Sequence, residues 1–413
     1  MKGKKTMDIT ITPRRLSGKV TVPASKSVAH RLVIAAALSK GRSVIHNIYP
    51  SKDILATLDA MKALGAGISL DGDTAVIDGI TDPPEKAVID CCESGSTLRF
   101  IIPIACALGV EATFVGSGRL PQRPITPYVE ELPKHGIKLD YSGTMPFTVS
   151  GKLTGGDFHI AGDISSQFIT GLLLAFPLID GESRIILTSP LESRPYVDIT
   201  CGCLEQFGCE TKVLENGFAV SGTDLSPCEC AVEGDYSQAA FFYAANALGS
   251  DIDIGGVNVN SFQGDKKIVE ICEEMLYNRN SGLSPFDLDV SDIPDLVPIL
   301  SVLACFADGT SYIRNAARLR IKECDRLSAM AVSLNALGGK VTELPDGLVI
   351  EGVGQLSGGT VPDFNDHRIP MAMAIAATGS TAPVTILGAQ CVSKSYPDFF
   401  EVYESLGADI QRN

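Results

Sequence analysis

Two acidic residues stand among cations in this 413-residue chain in a pattern that suits proton transfer. Asp295 occurs in "SDIPDLVPIL", at the start of an apolar run, and Glu323 occurs in "RIKECDRL", between Lys322 and Arg326. One carboxylate can take a proton from a hydroxyl while a second delivers one to carbon, which is general acid–base chemistry. The plain alternatives are that Asp295 caps a helix and that Glu323 is a surface ion-pair partner. The cations recur along the chain. Lys26 and Arg31 lie in "ASKSVAHRL", Arg99 follows "ESGST", and Arg123 lies in "LPQRPITP". Arg320, Lys322 and Arg326 open "LRIKECDRLSAM", Arg368 follows "NDH", and Lys394 lies in "VSKSYPDFF". Most sit where a helix begins, at the end whose partial positive charge disfavours them. Any one of them could be solvated or paired with a nearby acid. Cations at equivalent points throughout imply a bound polyanion, held by helix N-termini, serine hydroxyls and charge-assisted bonds together.

The elements that carry these residues repeat. An apolar helix is expected to start near Ser27, Ser96, Ser166, Ser237, Asp295 and His367. Each run is followed by a glycine (Gly41, Gly109, Gly181, Gly249, Gly309, Gly379), the usual residue just past a helix. A second, amphipathic helix follows in most units and stops at Leu64-Gly65, His135-Gly136, Phe207-Gly208, Leu337-Gly338 and Leu406-Gly407. Alternating strands come next, joined by Asp-Gly or Asn-Gly turns, as in "GISLDGDTAVIDG" and "CETKVLENGFAVSG". The chain therefore reads as α/β, with six βαβαββ-like repeats. The fourth is shorter, and the sixth stops at "GADIQRN" before its final strand. The N-terminal "MDITITPRRLSGKVTV" is expected to supply a spare hairpin to the C-terminal half. This gives two domains of three repeats, residues 21–232 and residues 1–20 with 233–413, joined by a two-strand hinge near Thr21 and Val232. The first helices are apolar nearly all round and are expected to be buried, with their N-termini aimed at a common cleft.

Net charge is −15, which argues against general affinity for nucleic acid or for anionic membranes, so an anion site must be local. The first residues carry no apolar signal segment, and no apolar stretch reaches 18 residues. Twelve cysteines are too dilute for a disulfide framework and fit a reducing, cytoplasmic setting. "CGC" and "CEC" lack the spacing of zinc sites, and no metal or cofactor is expected.

Over essentially its whole length the sequence resembles the EPSP synthase (3-phosphoshikimate 1-carboxyvinyltransferase) family of enolpyruvyl transferases. The resemblance rests on "PASKSVAHR", "ESGSTLR", "QRPI", "SSQF", "SRPY", "DIPDLVP", "RIKECDRL", "NDHR" and "SKSYPDFF", in the family's order. It implies two inside-out α/β domains of three repeats that close on substrate. It also implies transfer of the enolpyruvyl group of phosphoenolpyruvate to the 5-hydroxyl of 3-phosphoshikimate, releasing phosphate, without metal or cofactor. The setting implied is chorismate and aromatic amino-acid biosynthesis, in a cytoplasmic monomer that is a glyphosate target. Carried over by motif, Lys26, Ser27, Arg31, Ser165, Ser166, Gln167, Ser193, Tyr196, Asp295 and Lys322 would bind 3-phosphoshikimate. Lys26, Gly95, Arg123, Gln167, Arg326, Arg368 and Lys394 would bind phosphoenolpyruvate. Asp295, Glu323 and Lys26 would carry the chemistry, Asp295 as base and Glu323 as acid. Glu93, Ser96 and Arg318 depart from the commoner family pattern. Two rivals stay open. One is UDP-N-acetylglucosamine enolpyruvyltransferase, whose catalytic cysteine has no counterpart in "SGRLPQRPI". The other is a noncatalytic phosphometabolite-binding protein, which would not need both acids.

Overall fold

The computed structural model describes residues 7–277 and 282–413. Its contacts fall into two compact units. Ala24–Glu233 is continuous in sequence and is called here the contiguous unit; the residues up to Pro23 join Gly234–Asn413 in the split unit.

The second repeat shows the unit plan in full. Strand Lys86–Asp90 leads to helix Gly95–Leu108, and strand Glu111–Val115 returns parallel to the first. Helix Thr126–Glu131 follows, and strands Ile137–Asp140 and Phe147–Gly151 close the sheet antiparallel. The third repeat copies this with Asp157–Ile160, Glu182–Leu187, Gly217–Ser221 and Thr211–Leu214. The first repeat differs in one strand. Its Arg42–His46 pairs in parallel with Glu229–Ala231, taken from the far end of the contiguous unit.

The split unit corrects one expectation. Ile9–Thr12 and Ser17–Thr21 do not form a hairpin. Ile9–Thr12 lies between Val384–Leu387 and Asp409–Arg412, antiparallel to both, so neither of its edges is open to Ser17–Thr21. Ser17–Thr21 pairs instead with Asp251–Gly255, in parallel. Pro13 lies between the two strands and lacks an amide donor, which breaks the ladder where the chain changes sheets. The strand missing from the sixth repeat is thus replaced from the N-terminus, and the fifth repeat keeps its own four strands.

The first helices are buried as their composition requires. Val28 through Leu38 are all buried in helix Lys26–Leu38, and Arg368 through Ala377 in Arg368–Thr378. Burying each Val, Leu or Ile contributes ~1.5–3 kcal/mol, so these helices form the cores on which the sheets are laid. Their starts follow a common rule. Ser25, Ser94 and Asp235 cap three of them, accepting from Val28 N, Thr97 N and Gln238 N at 3.5, 3.1 and 3.1 Å. The cap lies two residues before Ser27, Ser96 and Ser237, so the repeat serines enter the first turn with their hydroxyls released from capping. The glycines stop the second helices as read, with positive φ at Gly65, Gly136, Gly208, Gly338 and Gly407. Among those after the first helices, only Gly109 is itself a left-handed cap; helix Lys26–Leu38 ends on Ser39, whose hydroxyl donates to Ala36 O at 2.8 Å.

Candidate active site

In the contiguous unit the first turn of helix Lys26–Leu38 is tied on both sides. Lys26 Nζ bonds Asp53 Oδ2 at 2.9 Å, and Asp53 lies in the first turn of helix Lys52–Ala63, where a carboxylate also suits the dipole. The sequence reading passed over Asp53; an acid one residue inside "SKDILAT" was its only signal. Arg31 is buried against Phe100, its guanidinium 5.1 Å from the ring centroid. It donates to Thr200 Oγ1 at 2.7 Å, Ser27 O at 2.6 Å, Tyr196 O at 2.9 Å and Thr170 Oγ1 at 3.2 Å. Burial lowers its pKa to about 10. Arg31 therefore joins three of the expected residues, Ser27, Tyr196 and itself. Two of its donors fix the backbone of the other two and two more go to threonine hydroxyls, leaving one N–H for a ligand.

A second network holds Gln167. Arg99 Nη1 donates to its Oε1 at 2.6 Å, and its Nε2 donates to Ser96 Oγ at 3.0 Å, which orients the amide. Arg99 lies over Phe168, 5.0 Å from the ring centroid. Ser165 caps helix Ser166–Ala175, accepting from Gln167 N at 3.3 Å. Ser193 sits before helix Arg194–Gln206 at φ 56°, a left-handed position, and Tyr196 N donates back to its carbonyl at 3.1 Å. The "SGRLPQRPI" loop brings the Arg123 guanidinium onto Gly95. A Cβ on Gly95 would lie 2.5 Å from Arg123 Nη1.

Beneath these lies a buried chain that the sequence did not announce. His30 Nδ1 bonds Thr57 Oγ1 at 2.7 Å, Thr57 bonds Thr97 Oγ1 at 2.7 Å, and Thr97 donates to Ser94 Oγ at 2.7 Å. Burial, then the Lys26 and Arg31 charges, push the His30 imidazole well below its ordinary range, so it stays neutral and adds no cation.

In the split unit the expected acids and cations form one cluster. Arg326 side chain is 2% exposed and meets three carboxylates. Its Nη1 donates to Asp295 Oδ1 at 2.8 Å, Nη2 to Glu323 Oε2 at 2.6 Å, and Nε to Asp366 Oδ2 at 2.7 Å. Arg368 Nη2 donates to Asp295 Oδ2 at 2.9 Å and Nη1 to the Asp295 carbonyl at 3.2 Å. Both Asp295 oxygens are thus held by arginines. Asp295 lies in the turn Pro294–Leu296 and precedes Leu296, the N-cap of helix Val297–Cys305, so it does not occupy that helix's cap position. Glu323 likewise is not a solvated surface partner: its arginine is buried.

Burial pushes the Asp295 carboxyl up, but the Arg368, Lys322 and Arg326 charges outweigh it and hold it well below the usual carboxylate range. Burial brings Lys322 down to about 8 against the pull of Asp295 and Glu323. Asp366, fully buried, was not among the expected residues, although it stands inside "NDHR". Phe364 and Asn365 before it have φ of 52° and 55°, a strained left-handed pair. Lys394 donates to the Asn365 carbonyl at 2.7 Å. Arg320 is drawn off to Asp325 and Glu343 at 2.8 and 2.7 Å, and Arg318 donates to the Ser291 carbonyl.

The arrangement offers cations and helix N-termini to anions in each unit and, in the split unit, two carboxylates for proton transfer. Among the described residues no group of three or more His, Cys, Asp or Glu could hold a metal. The cysteines are all free; Cys228 and Cys230 lie 3.7 Å apart. No helix among the described residues is long and apolar enough to cross a membrane.

A family model described as EPSP synthase (3-phosphoshikimate 1-carboxyvinyltransferase) matches residues 11–403. A 3-phosphoshikimate 1-carboxyvinyltransferase of Clostridium perfringens is 45% identical, over 98% of this chain and 99% of that protein. One from Clostridium novyi is also 45% identical, over 98% of both. A solved EPSP synthase from Acinetobacter baumannii superposes with a TM-score of 0.84 at 27% identity, covering 99% of this chain and 100% of that one.

Proposed function

The chain belongs to the EPSP synthase family, and from that premise we propose how its residues divide the work. The reaction is transfer of the enolpyruvyl group of phosphoenolpyruvate to the 5-hydroxyl of 3-phosphoshikimate, with release of phosphate, in the shikimate pathway. The observation that carries our assignment is the Asp295 carboxylate held by Arg326 and Arg368, with Glu323 on the same arginine.

In that cluster the arginines are neutralised by the acids that must act. The phosphate and carboxylate of phosphoenolpyruvate compete with Asp295 and Glu323 for Arg326 and Arg368. As the substrate takes these cations, Asp295 loses the charges that hold it acidic and becomes a competent base. Asp295 then takes the 5-hydroxyl proton, the oxygen forms its bond to the middle carbon of phosphoenolpyruvate, and Glu323 delivers a proton to the methylene carbon. Loss of phosphate and removal of one methyl proton restore the double bond. For phosphoenolpyruvate we assign Lys26, Gly95, Arg123, Gln167 and Lys394 beside Arg326 and Arg368. For 3-phosphoshikimate we assign Lys26, Ser27, Arg31, Ser165, Ser166, Gln167, Ser193 and Tyr196, with Asp295 and Lys322 at the ring hydroxyls. Lys26 serves both anions. The reading includes a cytoplasmic monomer working without metal or organic cofactor; the free cysteines fit the reducing compartment.

Two outcomes test this. Phosphate should appear only when both substrates are present, at a rate unchanged by EDTA. Release with a nucleotide sugar as acceptor would move the protein to the sister activity, and binding without release would favour a carrier. In a second test, Gly95→Ala must displace the Arg123 guanidinium, because the new methyl would lie 2.5 Å from Nη1. Glyphosate, competing with phosphoenolpyruvate, should then inhibit roughly tenfold less well or worse, a loss of about 1.4 kcal/mol or more. The KM for phosphoenolpyruvate should rise less. Equal inhibition of both proteins would remove the steric argument.

A further inference from the structure

The fourth repeat breaks the pattern of the others. Its serine, Ser237, occupies the place of Ser27 and Ser96 in the first turn, but no cation accompanies it in "EGDYSQAAFF". Its hydroxyl donates instead to a carboxylate, Asp265 Oδ2. Asp265 is 2% exposed and lies in the turn Gly264–Lys266 that leads into helix Lys267–Tyr277. Its other oxygen, Oδ1, is buried with no hydrogen-bond partner among the described residues. A half-satisfied buried carboxyl is costly, and a fold that needed only a clamp would not keep it. The clamp already exists: Gln263 accepts from Tyr236 N at 3.0 Å and donates to Gly234 O at 2.8 Å.

Helix Tyr236–Ala247, which carries Ser237, packs against the turn Gly264–Lys266 that holds Asp265, against the turn Pro294–Leu296 that holds Asp295, and against the helix that Arg368 opens. The charges acting on Asp265 accordingly include the reaction's own, Asp295 and Arg368, together with Asp235 from the cap of helix Tyr236–Ala247. The lysines beside it are engaged elsewhere. Lys266 Nζ donates to the Val259 and Ser261 carbonyls at 3.1 and 3.3 Å, and Lys267 acts on Asp289. Burial, and then the Asp295 charge, bring the Asp265 carboxyl up to about 7, against the pull of Arg368 and the Ser237 hydroxyl.

We propose, resting on the assignment of Asp295 as base, that Asp265 is a positioning residue for the reaction: fixed by Ser237, it draws on Arg368 and opposes the Asp295 charge, and so keeps Asp295 able to take a proton. Ionised Asp265 repels the Asp295 charge and makes the base stronger, also once phosphoenolpyruvate has taken Arg368. Neutral Asp265 removes that repulsion and makes the base weaker. Turnover should therefore rise with pH as Asp265 loses its proton.

The experiment is kcat against pH for the whole enzyme and for Asp265→Asn and Ser237→Ala, with melting temperatures alongside. Asp265→Asn should lose that acid limb and stay flat at a kcat roughly tenfold below the wild-type plateau, the effect of about one pKa unit lost by the base. Ser237→Ala removes a hydrogen bond to the charged form, so its limb should move to higher pH while its plateau is kept. If both variants melt lower and lose kcat uniformly with the limb unmoved, Asp265 is only a structural clamp and the proposal falls. Should Asp265→Asn not fold, the limb of Ser237→Ala decides alone: moved, it supports the proposal; unmoved, it overturns it. Asp295→Asn, run in parallel, separates the two readings. Wild-type turnover in that variant removes the base assignment itself. A collapse there beside a wild-type profile in Asp265→Asn removes only the role of Asp265.

Discussion

Asp295→Asn should lower kcat by roughly 10²–10⁴-fold, the usual contribution of a positioned base. Phosphoenolpyruvate affinity should hold or improve, because Asp295 competes with the substrate for Arg326 and Arg368 in the empty site. This split is the signature of a group that acts in the transition state while opposing ground-state binding. A cap or a structural acid would show a different pattern, with lowered melting temperature and raised KM. Glu323→Gln should cost a comparable factor and should slow deuterium entry from solvent into the product methylene. If that exchange ran at the wild-type rate, Glu323 would be an ion-pair partner only, and Asp295 or Lys394 would have to protonate carbon. If Asp295→Asn turned over normally, the hydroxyl proton must leave by another route.

Arg326→Met should damage both function and fold. The side chain is 2% exposed and compensates Asp295, Glu323 and the fully buried Asp366 at once. Removing one partner of a buried ion pair costs ~3–5 kcal/mol, since the remaining charge has no water to turn to. In a unit of this size that is a fall of roughly 10 °C in melting temperature. The substrate loses a fork of charge-assisted donors as well, so kcat/KM should drop by roughly 10²-fold or more. Arg326→Lys keeps the charge but cannot serve three acids in one plane, and should fall between the two. A variant that melts normally would mean that Asp366 has other compensation. One with near-normal kcat/KM would move phosphoenolpyruvate off this arginine.

Much of this was legible in advance for a physical reason. Apolar runs with Gly stops recur because each first helix is buried all round, so burial alone forces the text of Lys26–Leu38 and Arg368–Thr378 to repeat. Cations at helix starts contradict the local dipole, and such contradictions survive where a ligand repays them. The residues that were missed obey local rules and so raise no signal. Asp53 is a proper first-turn acid, and Asp265 sits at the head of a helix where an acid is ordinary. Asp366 reads as part of a polar turn, and only the fold brings it to Arg326. The N-terminal strands were misread as a hairpin because strand pairing across nearly the whole chain leaves no mark in a short window. Arg31 was expected as an anion-binding cation, but besides Ser27 in its own turn its protein acceptors come from two distant segments, Thr170 and the helix with Tyr196 and Thr200, that no local pattern links.

Ile9–Thr12 pairs with Val384–Leu387 and with Asp409–Arg412. During synthesis, therefore, Ile9–Thr12 leaves the ribosome long before the strands it pairs with. At ~5–20 residues per second the wait is on the order of 20–80 s, while Ala24–Glu233 is already complete and free to fold. For that time both edges of Ile9–Thr12 are open to any strand in reach, the exposure that invites aggregation. Production of this protein at high level should accordingly be limited by how well the nascent N-terminus is shielded. Loss of Asp409–Arg412 would leave one of those edges open permanently.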